Sequence, residues 1–132
     1  MKPVFADTLF YVALLNRNDE HHVAAIDWAV HERPIIVTSE FVLLEVANFF
    51  RKPPDRERFS NFVQNLDADP ATTIVRCDST WFRRGLERFS SRLDKEWSLT
   101  DCISFVVMEE HSLSDALTDD RHFQQAGFTT LL

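Results

Sequence analysis

"PIIVTSEFVLLEVANFF", residues 34–50, sets a strand and a helix end to end. Pro34 opens a continuous apolar run instead of an alternating one, and such a run suits a strand covered on both faces. Ser39 follows in the position of a helix N-cap, so helix is expected over residues 40–50, with Pro53-Pro54 as its stop. A doubly buried strand feeding straight into a helix is half of a parallel βαβ unit.

The same alternation runs outward in both directions. Further strands are expected at residues 3–6, 71–77, 114–118 and 128–132. Helices are expected at 8–17, 55–66, 79–92, 101–111 and 120–126, and at 19–32, where Val23, Ile26, Ala29 and Val30 recur at helical period. The predicted fold class is therefore α/β: a three-layer sandwich whose parallel sheet, of about five strands, is flanked by helices. The length of 132 residues suits one domain spanning 1–132. With 45% hydrophobic residues, 12 Phe among them, and 27% charged residues, a soluble chain with a packed core is expected.

No apolar run approaches the roughly 20 residues of a membrane span, and Met1-Lys2-Pro3 leads directly into a strand with no signal segment. Cys77 and Cys102 form no C-x-x-C pair, which fits a reducing cytoplasm and two small buried thiols. The net charge of -7 argues against coating nucleic acid by phosphate neutralisation. Yet Arg83, Arg84, Arg88 and Arg92 share one side of a helix. That face is either simply solvated or a patch that steers an anionic substrate.

In an open parallel sheet, ligands bind beyond the carboxyl ends of the strands, where strand order reverses. The residues found there are acids. Asp7 follows the first expected strand and is either a helix cap or, if Thr8 caps, a free carboxylate. Asp119 and Asp120 follow "DALT", and two neighbours do not both need capping work. Glu45 has Phe41, Val42 and Phe49 around it on its helix and no Lys or Arg within a turn. It sits either at the edge of the apolar stripe or beside a cation from elsewhere. Asp101 opens "DCISFVVM", and Ser98-x-x-Asp101 approximates a capping box, a role compatible with ligating a metal. Two unit charges about 4 Å apart repel by roughly 4 kcal/mol at an effective dielectric of 20. Acids gathered at one sheet edge therefore need protonation or a hard divalent cation, and oxygen donors select Mg²⁺ or Mn²⁺. The five His show no ligand spacing among themselves.

"FADTLFYVALLNRNDEHHVAA", "VTSEFVLLEVANFF", "WSLTDCISFVVM" and "ALTDDRHFQQAGF" together resemble the PIN-domain ribonucleases, in particular the VapC toxins of bacterial toxin–antitoxin modules. The likeness covers essentially the whole chain. It implies a catalytic, metal-binding quartet of Asp7, Glu45, Asp101 and Asp120, with Asp119 at a variable position beside the fourth acid. Thr8 and Thr100 match polar residues that accompany the first and third acids. It further implies an Mg²⁺- or Mn²⁺-dependent endoribonuclease acting on RNA, a cognate antitoxin and a homodimer. Arg83, Arg84 and Arg121 are the candidates for holding flanking phosphates.

Other classes fit less well. A phospho-acceptor receiver would need a Lys near the last strand, and Lys2, Lys52 and Lys95 lie elsewhere. Gly85 and Gly127 are the only glycines, and neither follows the first strand to cradle a nucleotide phosphate. A free-standing RNA-processing nuclease, or a PIN-like fold kept for protein binding, would share the fold; the intact quartet weighs against the latter.

Overall fold

The computed structural model describes residues 2–132. In chain order the elements are β1 (Val4–Ala6), α1 (Thr8–Leu15), α2 (His22–Asp27), β2 (Ile36–Ser39), α3 (Glu40–Phe49) and α4 (Pro53–Ala68). There follow β3 (Thr72–Val75), α5 (Ser79–Ser91), α6 (Leu99–Glu110), β4 (Asp115–Leu117), α7 (Arg121–Gln125) and β5 (Thr129–Thr130). The strands form one parallel sheet in the order β3-β2-β1-β4-β5. The expected α/β class and five-stranded parallel sheet flanked by helices are what the chain adopts.

Chain order reverses at β1: the strands before α5 lie to one side of it, β4 and β5 to the other. The carboxyl ends of β1 and β4 are thus neighbours at the switch point, with Phe5 opposite Ala116 and Ala6 opposite Leu117. These four residues have no exposed surface. The opening stretch behaves as read: Val37, Thr38 and Ser39 are buried, and the Ser39 side chain caps α3 by accepting from the Val42 N–H at 3.1 Å.

Differences from expectation have local causes. The helix expected over 19–32 begins only at His22, because Asp19 folds a turn and accepts the His21 N–H at 2.8 Å. Its end widens into a π-helical turn, Trp28–Glu32. Arg33, which precedes Pro34 and is disfavoured in the right-handed helical region, then leaves with φ 49. Pro53 and Pro54 do not merely stop α3; they occupy the first helical positions of α4, where no N–H is needed. Asp101 is not the first residue of its helix: α6 starts at Leu99, with Ser98 as cap. Cys102 is buried as expected, but Cys77 is exposed.

Helices α5 and α6 pack at a glycine. A Cβ built on Gly85 would stand 2.2 Å from Ile103 Cγ1 and 3.1 Å from its Cα, which is a backbone obstacle. Gly85→Ala is expected to lower stability by about 1–3 kcal/mol, the usual cost of overpacking. Urea midpoints of the two proteins measure it, and an unchanged midpoint would mean the helices separate freely.

Candidate active site

Each acid of the expected quartet is delivered by a different element. Asp7 leaves β1 and is 4% exposed; Asp101 sits in the first turn of α6 and is 9% exposed. Glu45 comes from the middle of α3, and Asp120 caps α7 by accepting the His122 N–H at 2.9 Å. All four line one cleft of about 410 Å³, together with Thr8, Leu9, Asn48, Phe49, Glu96, Ser98 and His122. No Lys or Arg stands in that lining.

The carboxylates are held by hydroxyls and N–H groups. Thr118 donates to Asp7 Oδ2 at 3.0 Å, and the same hydroxyl accepts the Asp120 N–H at 3.0 Å. Thr8 donates to Glu45 Oε1 at 2.6 Å, which answers the question of how a carboxylate survives on an apolar helix. Ser98 and Asp101 form a complete capping box: Asp101 N–H donates to Ser98 Oγ at 3.0 Å, and Ser98 N–H to Asp101 Oδ2 at 3.1 Å. The side chain of Asp7 makes no capping bond to α1. Its carboxylate is left to face Thr118 and the cleft.

Burial raises the Asp7 carboxyl from its ordinary range to about 7, and the charges of Asp101 and Glu45 push the same way. Hydrogen bonds from Thr8 and Thr118 oppose the rise. Burial also raises Asp101, with Asp120 and Glu45 adding to the effect while the Ser98 backbone and His122 oppose it.

The structure separates the two adjacent acids. Asp120 turns into the cleft, whereas Asp119 turns away to His21, whose Nε2 lies 2.6 Å from Asp119 Oδ2. Thr8 lies in the cleft; Thr100 is not part of its lining. The arginines expected to hold flanking phosphates stand outside the cleft lining. Arg84 pairs with Glu110 at 3.2 Å and stacks on Trp81, and Arg83 stacks on Phe82. Glu110 lies nine residues along α6 from Asp101, a rise of about 13 Å. Arg88 and Arg92 are likewise paired, with Glu109 and Asp94. This face is a salt-bridged helix surface. Arg121 begins α7 beside the cleft but is exposed and outside its lining.

One group escaped the sequence reading. His122 places Nδ1 3.2 Å from Asp120 Oδ1 and 3.4 Å from Asp101 Oδ2. Searching for spacing between histidines misses it, because its partners are acids; position i+2 from a capping Asp was the available signal. The ligand atoms of Asp101, Asp120 and His122 lie within 4.8 Å of one another, and a second such group joins Glu20, His21 and Asp119. The donor set, four carboxylates with no Lys or Arg in the cleft lining and with Asp7 and Asp101 raised by burial, fits a divalent cation.

A family model for the PIN domain matches residues 4–129. The chain belongs to the PIN-domain family. Its members that act as nucleases cleave RNA phosphodiester bonds, generally with divalent metal. Among characterised PIN proteins it is similar to the 23S rRNA-specific endonuclease VapC20 of Mycobacterium tuberculosis, at 28% identity over 129 residues and 95% of each chain. The crystal structure of VapC20, described as a Sarcin-Ricin loop cleaving toxin, superimposes with a TM-score of 0.84 at 25% identity, covering 96% of both chains. The fold is shared more distantly with VapBC2 from Rickettsia felis bound to a DNA fragment from their promoter, at TM-score 0.68, 11% identity and 98% of each chain. FitAcB from Neisseria gonorrhoeae superimposes at 0.63 and 17% identity, over 98% of this PIN chain and 96% of that one.

Asp7 gives the PIN cleft a pH signature. A carboxyl that binds its proton more tightly folded than unfolded makes stability fall as pH rises between the two pKa values. Here that window runs from about 4 to about 7. In EDTA, Asp7→Asn is expected to match the wild type near pH 4 and to exceed it by up to a few kcal/mol above pH 7. Denaturant titrations across that range check this; parallel pH profiles would mean Asp7 is not strained.

Proposed function

We propose that this chain is an Mg²⁺- or Mn²⁺-dependent endoribonuclease and the toxin of a toxin–antitoxin pair, acting in the cytoplasm as one domain over 1–132. The observation that carries the reading is the cleft at the switch point, where Asp7, Glu45, Asp101 and Asp120 gather with no Lys or Arg to neutralise them. Asp7 and Asp101 would be the inner ligands of the metal, with Glu45 and Asp120 completing the set. Bound there, a divalent ion supplies Lewis acidity toward the phosphodiester and lowers the pKa of water. The chain's own residues fix the geometry: Thr118 orients Asp7 and Asp120 together, Thr8 orients Glu45, and the capping box holds Asp101 at the mouth of α6. Likeness to an rRNA endonuclease over nearly the full length supports RNA as substrate and makes ribosomal RNA the first to test.

The antitoxin is proposed to insert an Arg or Lys into the acid cluster, where a guanidinium pairs bidentately with carboxylates. Phe10, Tyr11 and Phe50 are core residues, while Phe49 is 60% exposed at the cleft and Leu44 61% exposed on the same helix. A homodimer using such a face should be seen by light scattering at high concentration; a monomer there would count against it.

Cleavage of RNA by the purified chain is expected in Mn²⁺ or Mg²⁺ and absent in EDTA. Saturating metal, at about 100 times its dissociation constant, should add about 2.7 kcal/mol of stability. Asp101→Asn and Glu45→Gln should each reduce cleavage by orders of magnitude while stability in EDTA holds or rises, since each removes a like charge. Glu57→Gln, exposed on α4, should change neither. Near wild-type cleavage by Asp101→Asn would sink the mechanism.

A further inference from the structure

We propose that His122 is a nitrogen ligand of this centre, and that it makes the site favour first-row transition ions, Mn²⁺ and beyond, over Mg²⁺. The inference rests on the metal-dependent reading above and adds to its four carboxylates a donor of a different kind.

The placement follows from how α7 starts. Asp120 is its cap and His122 its second residue, so the carboxylate and the ring leave the same turn. With Asp101 arriving from α6, Nδ1 of His122 stands 3.2 Å from one carboxylate oxygen and 3.4 Å from the other. The three side chains are only 12–23% exposed, which limits the water able to replace the ring. Neighbouring ligand atoms on an Mg²⁺ octahedron, at its short bond lengths, lie roughly 2.9 Å apart. Around a tetrahedral Zn²⁺ they lie roughly 3.3 Å apart. The observed edges are close enough for the three groups to share one ion, and the choice of ion follows from donor chemistry. Neutral imidazole is a good donor to first-row transition ions and a poor one to Mg²⁺.

The competing role is a hydrogen bond from Nδ1–H to the two carboxylates, in which the ring never meets the ion. Loss of the ring would then affect all divalent ions alike. A second source of imidazole must also be separated, since His21 lies with Glu20 and Asp119 in the neighbouring group.

Electron spin echo spectroscopy of Mn²⁺ bound to the whole chain distinguishes these. The wild type is expected to show nitrogen-14 modulation from a directly bound imidazole; His21→Ala should keep it and His122→Ala should lose it. By calorimetry, His122→Ala should weaken Mn²⁺ binding at least as much as the roughly 10- to 100-fold that loss of a supporting partner costs. Mg²⁺ binding should change far less. Bound Mn²⁺ without nitrogen modulation in the wild type, modulation that vanishes with His21, or equal losses for both ions would overturn the assignment alone. A wild-type chain that binds no Mn²⁺ would overturn it together with the metal-dependent function. The wild-type spectrum is independent of whether the His122 variant folds.

Discussion

Crowding of like charges at the carboxyl ends of β1 and β4 is the constraint around which the rest of the fold is arranged. Loss of water on burial chiefly, with repulsion between carboxylates added, opposes the arrangement and raises the Asp7 carboxyl. Such an arrangement persists only where its surroundings over-determine it. Here they do: Phe5, Ala6, Ala116 and Leu117 form a fully buried floor, and Thr8, Ser98 and Thr118 each direct a donor at one acid. Stability is given up locally where the acids meet.

The sheet was legible because doubly buried strands and helix caps are local signals. "PIIVTS" carries one and Ser39 the other, and both sit as read. The four acids were legible because a parallel sheet sends its strand ends to one edge, so that sequence position translates into shared space. What stayed hidden depended on contacts between distant segments. The Thr8–Glu45 bond spans 37 positions, and nothing in the local pattern of α3 announces it. The arginine face of α5 read as either a solvated surface or a patch steering an anionic substrate, and its pairing with Glu109 and Glu110 depends on the packing of α5 on α6, which no local pattern announces. His122 was overlooked because its neighbours are carboxylates, one of them brought from another helix.

The two correct capping readings illustrate how structure and chemistry overlap in one side chain. Asp101 completes a capping box, and Asp120 caps α7, yet both keep an oxygen on the cleft. A capping role and a ligand role are not alternatives at a helix N-terminus, because a carboxylate oxygen that accepts a cap bond keeps a further lone pair: Asp101 Oδ2 and Asp120 Oδ1 accept the cap N–H and also face His122 Nδ1. Asking whether such an acid is structural or functional sets up a choice the geometry does not impose.

Thr118 touches Asp7, 111 positions away, with its hydrogen and the Asp120 backbone with its lone pair. In folding terms that is a contact of very high order, and closure of so long a loop comes late. A nascent or partly collapsed chain therefore holds Asp7 with no Thr118 to orient it and no Asp120 to complete the cluster. The acidic cleft cannot exist ahead of the β1–β4 pairing, so the four acids come together only once the sheet has closed across its switch point.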